Sequence, residues 1–285
     1  MSVLEAVILG AVQGLTEFLP VSSSGHLVLF RKILGVSAPA LFFDTLVHGG
    51  TLIAVFVVLR SDIWAILRRP VQPLSAYLVL GTLPAVIAAL AFKDAIEAAF
   101  ESGAFLGFAF LATSVFLALA EILSKRAARL RRGEEMTWLD SLIIGVFQAI
   151  AIVPGLSRSG STLSASLARG LDRDFAARFS FLLSIPAILG ALVLQIKDVA
   201  GSNGTAGEEI SGIGTFGGSA PWAEAAGAGI LPMAAGTLTA ALVGFFAITI
   251  MLKLVRERSL WGFSAYTGLL GLLVLADQRL AHLFF

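Results

Sequence analysis

The 285-residue chain has no cysteine. That excludes a disulfide framework, a thiol nucleophile and a cysteine metal site. It has little charge: Asp, Glu, Lys and Arg make up 14% of residues, against about 25% in ordinary soluble proteins. Neither sign dominates. The formal net charge is +1, which leaves no electrostatic footprint for nucleic acid, and no such partner is expected. What the chain does have is apolar side chains, 57% of its residues, with a mean hydropathy of +0.91. A soluble fold of this length has too little interior to bury them and too few polar groups for its surface. A soluble enzyme and a disordered chain are therefore excluded. An integral membrane protein of helices embedded in the bilayer remains.

Six apolar runs are long enough to cross: Leu41–Arg60, Leu74–Lys93, Ala104–Ser124, Phe175–Ile196, Ile230–Leu254 and Gly262–Leu283. Each approaches or exceeds the roughly 20 residues that span about 30 Å of hydrocarbon. Two further runs, Val3–Leu19 and Leu139–Val153, are too short and stop at Pro20 and at Pro154-Gly155. Serines and a second short helical stretch follow each stop. That pattern predicts re-entrant hairpins, each made of two half-helices that enter and leave on one side. Val3–Leu19 does not read as a signal peptide. It lacks a basic flank, carries Glu5 and Glu17, and is followed by no small-residue cleavage site.

Lysine and arginine set the orientation. Fourteen of the twenty lie around 60–69, 125–132, 169–178 and 253–258, a set that the six spans place on one side; five lie on the other, and Arg158 on neither. The richer side is expected to be cytoplasmic. A Gly-rich stretch at 197–229 is then an external loop.

Shifting the chain by 135 residues aligns SVLEAVILGAVQGLTEFLPVSSSGHL with TWLDSLIIGVFQAIAIVPGLSRSGST. Leu4, Ile8, Gly10, Gln13, Ser22, Ser24 and Gly25 meet identical residues, and Glu5 meets Asp140. Gln and Ser are uncommon in apolar helices, so these polar matches carry the most weight. The expected fold is an all-α, single membrane domain built as an inverted repeat. Residues 1–124 form the first half, 125–134 a cytoplasmic linker and 135–285 the second half. Each half has one re-entrant hairpin and three spans. An odd number of spans inserts the second half upside down, which brings the two broken tips toward each other.

Chemistry concentrates at those tips. An arginine at membrane depth costs about 2.5–3.5 kcal/mol on insertion scales and is functional by default; a purely structural ion pair of Arg158 with Glu17 or Glu121 is the alternative. Arg158 opens a half-helix in PGLSRSGST, where unpaired N–H groups and the positive end of the helix dipole favour an anion. The other tip, PVSSSGHL, carries Ser22, Ser23 and Ser24. One serine suffices for a helix cap, so three point to phosphate binding or to a nucleophile. Two such N-termini suit a diphosphate. Gln13 and Glu17 share a helix face, and Glu17 can accept a proton or bind a divalent cation. His26, one turn into its half-helix, is an acid–base candidate. Thr162 lies one turn beyond Arg158, as a ligand or as a hydroxyl bonded to its own helix. Asp44 and His48 form an i, i+4 pair that either supports the site or lies at the outer surface. Glu121 is expected to snorkel toward the cytoplasmic side. The second repeat has Ile152 opposite Glu17 and Arg158 opposite Ser23, so the halves have diverged in chemistry.

The stretches QGLTEFLPVSSSGHL and PGLSRSGST resemble the two signature motifs of the undecaprenyl-diphosphate phosphatase family, the bacitracin-resistance family. The resemblance also covers motif separation, span pattern and length. It implies a multi-pass enzyme of the bacterial inner membrane that removes the terminal phosphate of the C55 isoprenoid diphosphate. The product is the monophosphate lipid carrier used for peptidoglycan and other wall polymers. It further implies a divalent cation, Mg2+ or Ca2+, a homodimer, and bacitracin resistance on overproduction. Carried over by position, the acidic motif falls on Gln13 and Glu17, and the serine–histidine stretch on Ser22, Ser23 and His26. The arginine motif falls on Ser157, Arg158, Ser159 and Thr162. Some members have Glu where this chain has Gln13, so Glu17 is left as the sole carboxylate for a metal. The expected chemistry is attack by Ser23 on the terminal phosphorus, with Glu17 or His26 taking its proton, on the outer face of the membrane. Direct attack by water is the competing mechanism. A polyprenyl-phosphate transporter built on the same repeat is the rival function, but it needs neither a nucleophile nor a base.

Overall fold

The structure is a computed structural model that describes residues 1–36, 41–92, 95–96, 99, 103–126, 129–201, 229–281 and 283. In chain order its α-helices are α1 (Val3–Thr16), α2 (Ser23–Leu34), α3 (Leu41–Val58), α4 (Arg60–Arg68), α5 (Pro73–Ala91) and α6 (Leu106–Arg126). After a 3-10 turn at Gly133–Glu135 come α7 (Trp138–Ile150), α8 (Arg158–Ala168), α9 (Arg173–Gly201), α10 (Ile230–Glu257) and α11 (Trp261–Ala276), which runs into a π turn at Asp277–Ala281. No strand occurs among the described residues. The Gly-rich stretch expected as an external loop at 197–229 begins later than expected, because 197–201 continue α9; 202–228 lie outside the described residues.

Among the described residues four helices are long and apolar enough to cross a membrane: α5, α6, α10 and the stretch Arg173–Val193 of α9. α3 and α4 qualify together as a fifth, bent by 77° at their junction. The protein is thus a multi-pass membrane protein. The expected span Leu41–Arg60 is corrected here, because the helix stops at Val58. Beyond Leu59 the apolar run gives way to Arg60, Asp62 and Arg68, and the chain turns into α4. Asp62 anchors it to Arg178 of α9 at 2.9 Å. The last expected span is shorter as a regular helix, ending at Ala276.

The two short helices are fixed at their starts by side-chain caps. At the start of α1, Glu5 N–H donates to Ser2 Oγ and Ser2 N–H to Glu5 Oε2. At the start of α7, Asp140 N–H donates to Thr137 Oγ1 and Thr137 N–H to Asp140 Oδ2. Each is a capping box. α2 and α8 begin alike, with Ser22 Oγ accepting from Gly25 N–H and Ser157 Oγ from Gly160 N–H. Asp140 also receives Arg131 and Arg169 at 2.9 and 2.7 Å, so the linker is tied to the base of α7. The hydrogen bond to Asp140 pushes the Arg131 guanidinium further above its ordinary value.

Small residues let the helices approach closely. A Cβ on Gly10 of α1 would lie 2.2 Å from the Gly236 carbonyl oxygen of α10, and one on Gly145 of α7 would lie 2.5 Å from that of Gly81 on α5. Such crossings are the usual means of helix association in lipid, where burial of apolar surface drives little. The largest buried cluster includes Phe18, Leu59, Leu117, Leu167 and Val255. It lies beneath the first tip. Outward-facing Val86, Ile87, Leu90, Leu238 and Leu242 are exposed, as lipid-facing side chains must be.

Glu121 does not snorkel. It is 1% exposed and takes Arg173 at 2.8 Å, Lys125 at 3.2 Å and the Leu260 N–H at 3.1 Å. Two cations and an orphan helix-start N–H offer the carboxylate more than water at the rim does. The residue pins α6 to the start of α9 and to the turn before α11.

Candidate active site

The two chain breaks meet. Ser159 Oγ donates to the Leu19 carbonyl at 3.1 Å, and Gly155 N–H donates to Ser24 Oγ at 3.3 Å. The Gly155 backbone is in the left-handed region, φ +85°, and a Cβ there would lie 2.7 Å from Leu106 Cδ1, so glycine fits both demands. Ser22 is the only non-glycine with positive φ among the described residues, at +72°. That conformation costs of order 1–3 kcal/mol and persists only where the surroundings enforce it.

Glu17 lies at the centre, 7% exposed. Its Oε1 receives Arg158 Nη2 at 2.5 Å. Its Oε2 receives Ser23 Oγ at 2.6 Å and Gln13 Nε2 at 3.1 Å. His48 Nε2, on α3, is 3.5 Å from the same oxygen, while its Nδ1 faces the Asp44 carbonyl at 2.6 Å. Ser23 and Arg158, first residues of their half-helices, thus address the two oxygens of one carboxylate from opposite tips. Arg158 is steadied by the Ser180 carbonyl at 3.2 Å. Thr162 Oγ1 donates to the Arg158 carbonyl at 2.9 Å and lies 2.6 Å from Ser180 Oγ. It is a hydroxyl bonded within its own helix and to α9. Ser157 N–H donates to Thr113 Oγ1 at 3.1 Å, and Ser157 Oγ lies 3.3 Å from Ser159 Oγ.

Ten of the residues singled out in the sequence therefore gather where the tips meet: Gln13, Glu17, Ser22, Ser23, Ser24, His26, Ser157, Arg158, Ser159 and Thr162. His26 is differently engaged from expectation. Its ring nitrogens face the Ser22 carbonyl and the Tyr266 hydroxyl, each at 2.7 Å, and not Ser23 or Glu17. The Asp44–His48 pair is settled toward the site, with Asp44 also paired to Arg31. Tyr266, Ser180 and Thr113 escaped sequence reasoning. The usable signal was the same one that flagged the serines, a polar group inside an apolar span that must find a partner.

One further atom bears on a cation. Gln13 is fully buried, and its Oε1 has no hydrogen-bond partner. A buried carbonyl oxygen without a donor beside a carboxylate is a hard-oxygen pair of the kind Mg2+ or Ca2+ accepts. Among the described residues no group of three or more His, Asp or Glu side chains gathers into a metal cage. Any such ion would complete its shell with water or substrate oxygens, as Mg2+ commonly does.

Fold and site together define a class: an all-helical, multi-pass membrane protein with a charged centre of serine, carboxylate and guanidinium groups enclosed between broken helices. The family described as bacitracin resistance protein BacA matches residues 6–273. An undecaprenyl-diphosphatase of Carboxydothermus hydrogenoformans is 43% identical over 98% of both chains. Undecaprenyl-diphosphatase 4 of Bacillus cereus is 42% identical over the same share. An undecaprenyl-diphosphatase of Halothermothrix orenii is 38% identical over 96% of this chain and 98% of its own. The chain belongs to the BacA family.

Proposed function

We propose that this protein hydrolyses undecaprenyl diphosphate to undecaprenyl phosphate and inorganic phosphate, recycling the lipid carrier of peptidoglycan synthesis and so conferring bacitracin resistance. The observation that carries the reading is the Ser23–Glu17–Arg158 centre. A transporter would need an anion site, but it has no use for a serine hydroxyl 2.6 Å from a buried carboxylate.

Ser23 Oγ attacks the terminal phosphorus as its proton passes to Glu17 Oε2. The bond from that phosphorus to the bridging oxygen breaks, and undecaprenyl phosphate leaves. Arg158 and the N–H groups at the starts of α2 and α8 neutralise the equatorial oxygens. Glu17 passes the serine proton to the departing lipid phosphate; water then attacks the phosphoserine, Glu17 takes the water proton and hands it to Ser23 Oγ, and phosphate departs with the Ser23 hydroxyl restored. Glu17 and Gln13 Oε1 would hold the divalent cation, which when bound supplies Lewis-acid neutralisation of the phosphate. Ser22, Ser24, Ser157 and Ser159 shape the anion pocket and cap the helices behind it.

Two finer features belong to the same reading. The first is the inverted repeat. It is supported by the paired capping boxes, by the identical caps at Ser22 and Ser157, and by crossings at the repeat-related Gly10 and Gly145. α1 of the first half packs on α10 of the second, and α7 of the second on α5 of the first. The second is location in the bacterial inner membrane with the site open to the outer side, a reading that rests on the Lys and Arg asymmetry.

The test is phosphate release from undecaprenyl diphosphate by purified protein in detergent, with and without EDTA, for wild type and Arg158→Ala. Metal-dependent release that is lost in the variant supports the proposal. Folded wild type that binds the lipid but releases no phosphate returns the transporter reading.

A further inference from the structure

We propose that Tyr266 is a positioning residue that acts through His26 to hold the Ser22 backbone in its strained conformation and so to aim Ser23. The inference rests on the reading of Ser23 as the attacking group.

The Ser22 carbonyl accepts twice from one residue, from His26 N–H at 3.2 Å and from the ring Nδ1 at 2.7 Å. A carbonyl oxygen only accepts, so Nδ1 carries the ring proton. In the neutral ring Nε2 is then an acceptor, and the Tyr266 hydroxyl donates to it at 2.7 Å. The two rings stack, with centroids 5.7 Å apart and planes 14° apart, and Phe110 meets the imidazole edge-on at 5.5 Å. Gly25 admits Phe110, because a Cβ there would lie 2.6 Å from its Cζ.

The hydrogen-bonding capacity of the neutral imidazole is thereby used up, none of it on Ser23 or Glu17. Ser23 finds its acceptor in Glu17 instead. His26 therefore works from behind the turn. It grips the carbonyl of the one residue whose φ +72° needs enforcement, and that residue immediately precedes Ser23. Tyr266 comes from α11, far along the chain, and by donating to Nε2 holds the ring in the orientation that keeps Nδ1–H on the Ser22 carbonyl. Its ring is 47% exposed and lines a surface cavity with Leu19 and Val21, so removing its hydroxyl leaves no buried void.

The experiment combines 15N-histidine NMR of the full-length protein in detergent with steady-state phosphate release. Wild-type His26 should show the Nδ1–H tautomer. Tyr266→Phe should keep the thermal midpoint and the Nδ1–H tautomer, lose the hydrogen-bond shift at Nε2 and lower kcat roughly tenfold, the scale of one lost hydrogen bond, with KM retained. His26→Asn places an amide donor near the Nδ1 position and should keep much of the activity, while His26→Gln, whose amide falls near Nε2, should not. Equal loss in the Asn and Gln variants would mark the ring as a proton carrier and overturn the proposal. So would a wild-type Nε2–H tautomer, or a Tyr266→Phe enzyme with unchanged kcat. If the tautomer and the Asn–Gln split appear but no phosphate is ever found on Ser23, the support of the turn stands and the nucleophile assignment falls.

Discussion

Arg158 Nη2 lies 2.5 Å from Glu17 Oε1, and the two residues come from the two broken tips, 141 positions apart. The side chains are 16% and 6% exposed. A pair buried to this degree is a weak source of stability, but breaking it leaves an uncompensated charge. In the proposed mechanism substrate offers Arg158 a phosphate in place of the carboxylate, and that exchange frees Glu17 to receive the Ser23 proton.

Arg158→Ala should lower kcat/KM by at least about a thousandfold, the scale of losing one preorganised charge donor at a reacting oxyanion. It should also destabilise the protein by about 3–5 kcal/mol. Adding Glu17→Gln should restore much of the stability and none of the activity. Thermal midpoints in detergent for the single and double variants check this; equal midpoints would show that the pair carries no stability coupling.

Gln13→Glu should give a second carboxylate where an unpartnered amide oxygen now lies. The expected outcome is retained activity with half-maximal rate at lower Mg2+ or Ca2+, because charge raises the affinity of hard-oxygen sites. Gln13→Leu should require more metal. Titration of EDTA-treated protein measures both, and a metal requirement unmoved by either change would place the ion elsewhere.

Gly10→Ala should separate α1 from α10, since the new Cβ would lie 2.2 Å from a backbone oxygen that cannot turn away. A loss of about 1–3 kcal/mol is the usual scale of overpacking, together with reduced phosphate release as the first tip moves. Gly190→Ala on α9, where a Cβ meets nothing within 4 Å, should change neither. Parallel melting curves and rates distinguish the two sites.

The residues of both tips were legible because their signals are local. Pro20 and Pro154 stop helices, serines cap the next ones, and Gln, Glu and Arg stand out in apolar surroundings. The bend at Leu59 was missed because apolar length alone does not tell a straight span from one that turns at Arg60 and Asp62. Glu121 was misplaced for a related reason. Its rescue by Arg173 and the Leu260 N–H depends on helix packing that no nearby residue announces. Tyr266 and Ser180 belong to the same class. Their roles arise only when α11 and α9 come to rest against the tips, and a lone hydroxyl in a span looks the same in sequence whether it supports a site or bonds to its own helix.

In the proposed mechanism Ser23, activated by Glu17, is the group that takes the phosphate. The most direct measurement is an acid quench of wild-type protein turning over undecaprenyl diphosphate labelled in the terminal phosphate, followed by peptide mapping. The account predicts label on the peptide carrying Ser23 and none in Ser23→Ala, which should also be inactive. An unlabelled wild type, together with a Ser23→Ala variant that still releases phosphate at a comparable rate, would contradict it and leave water as the nucleophile.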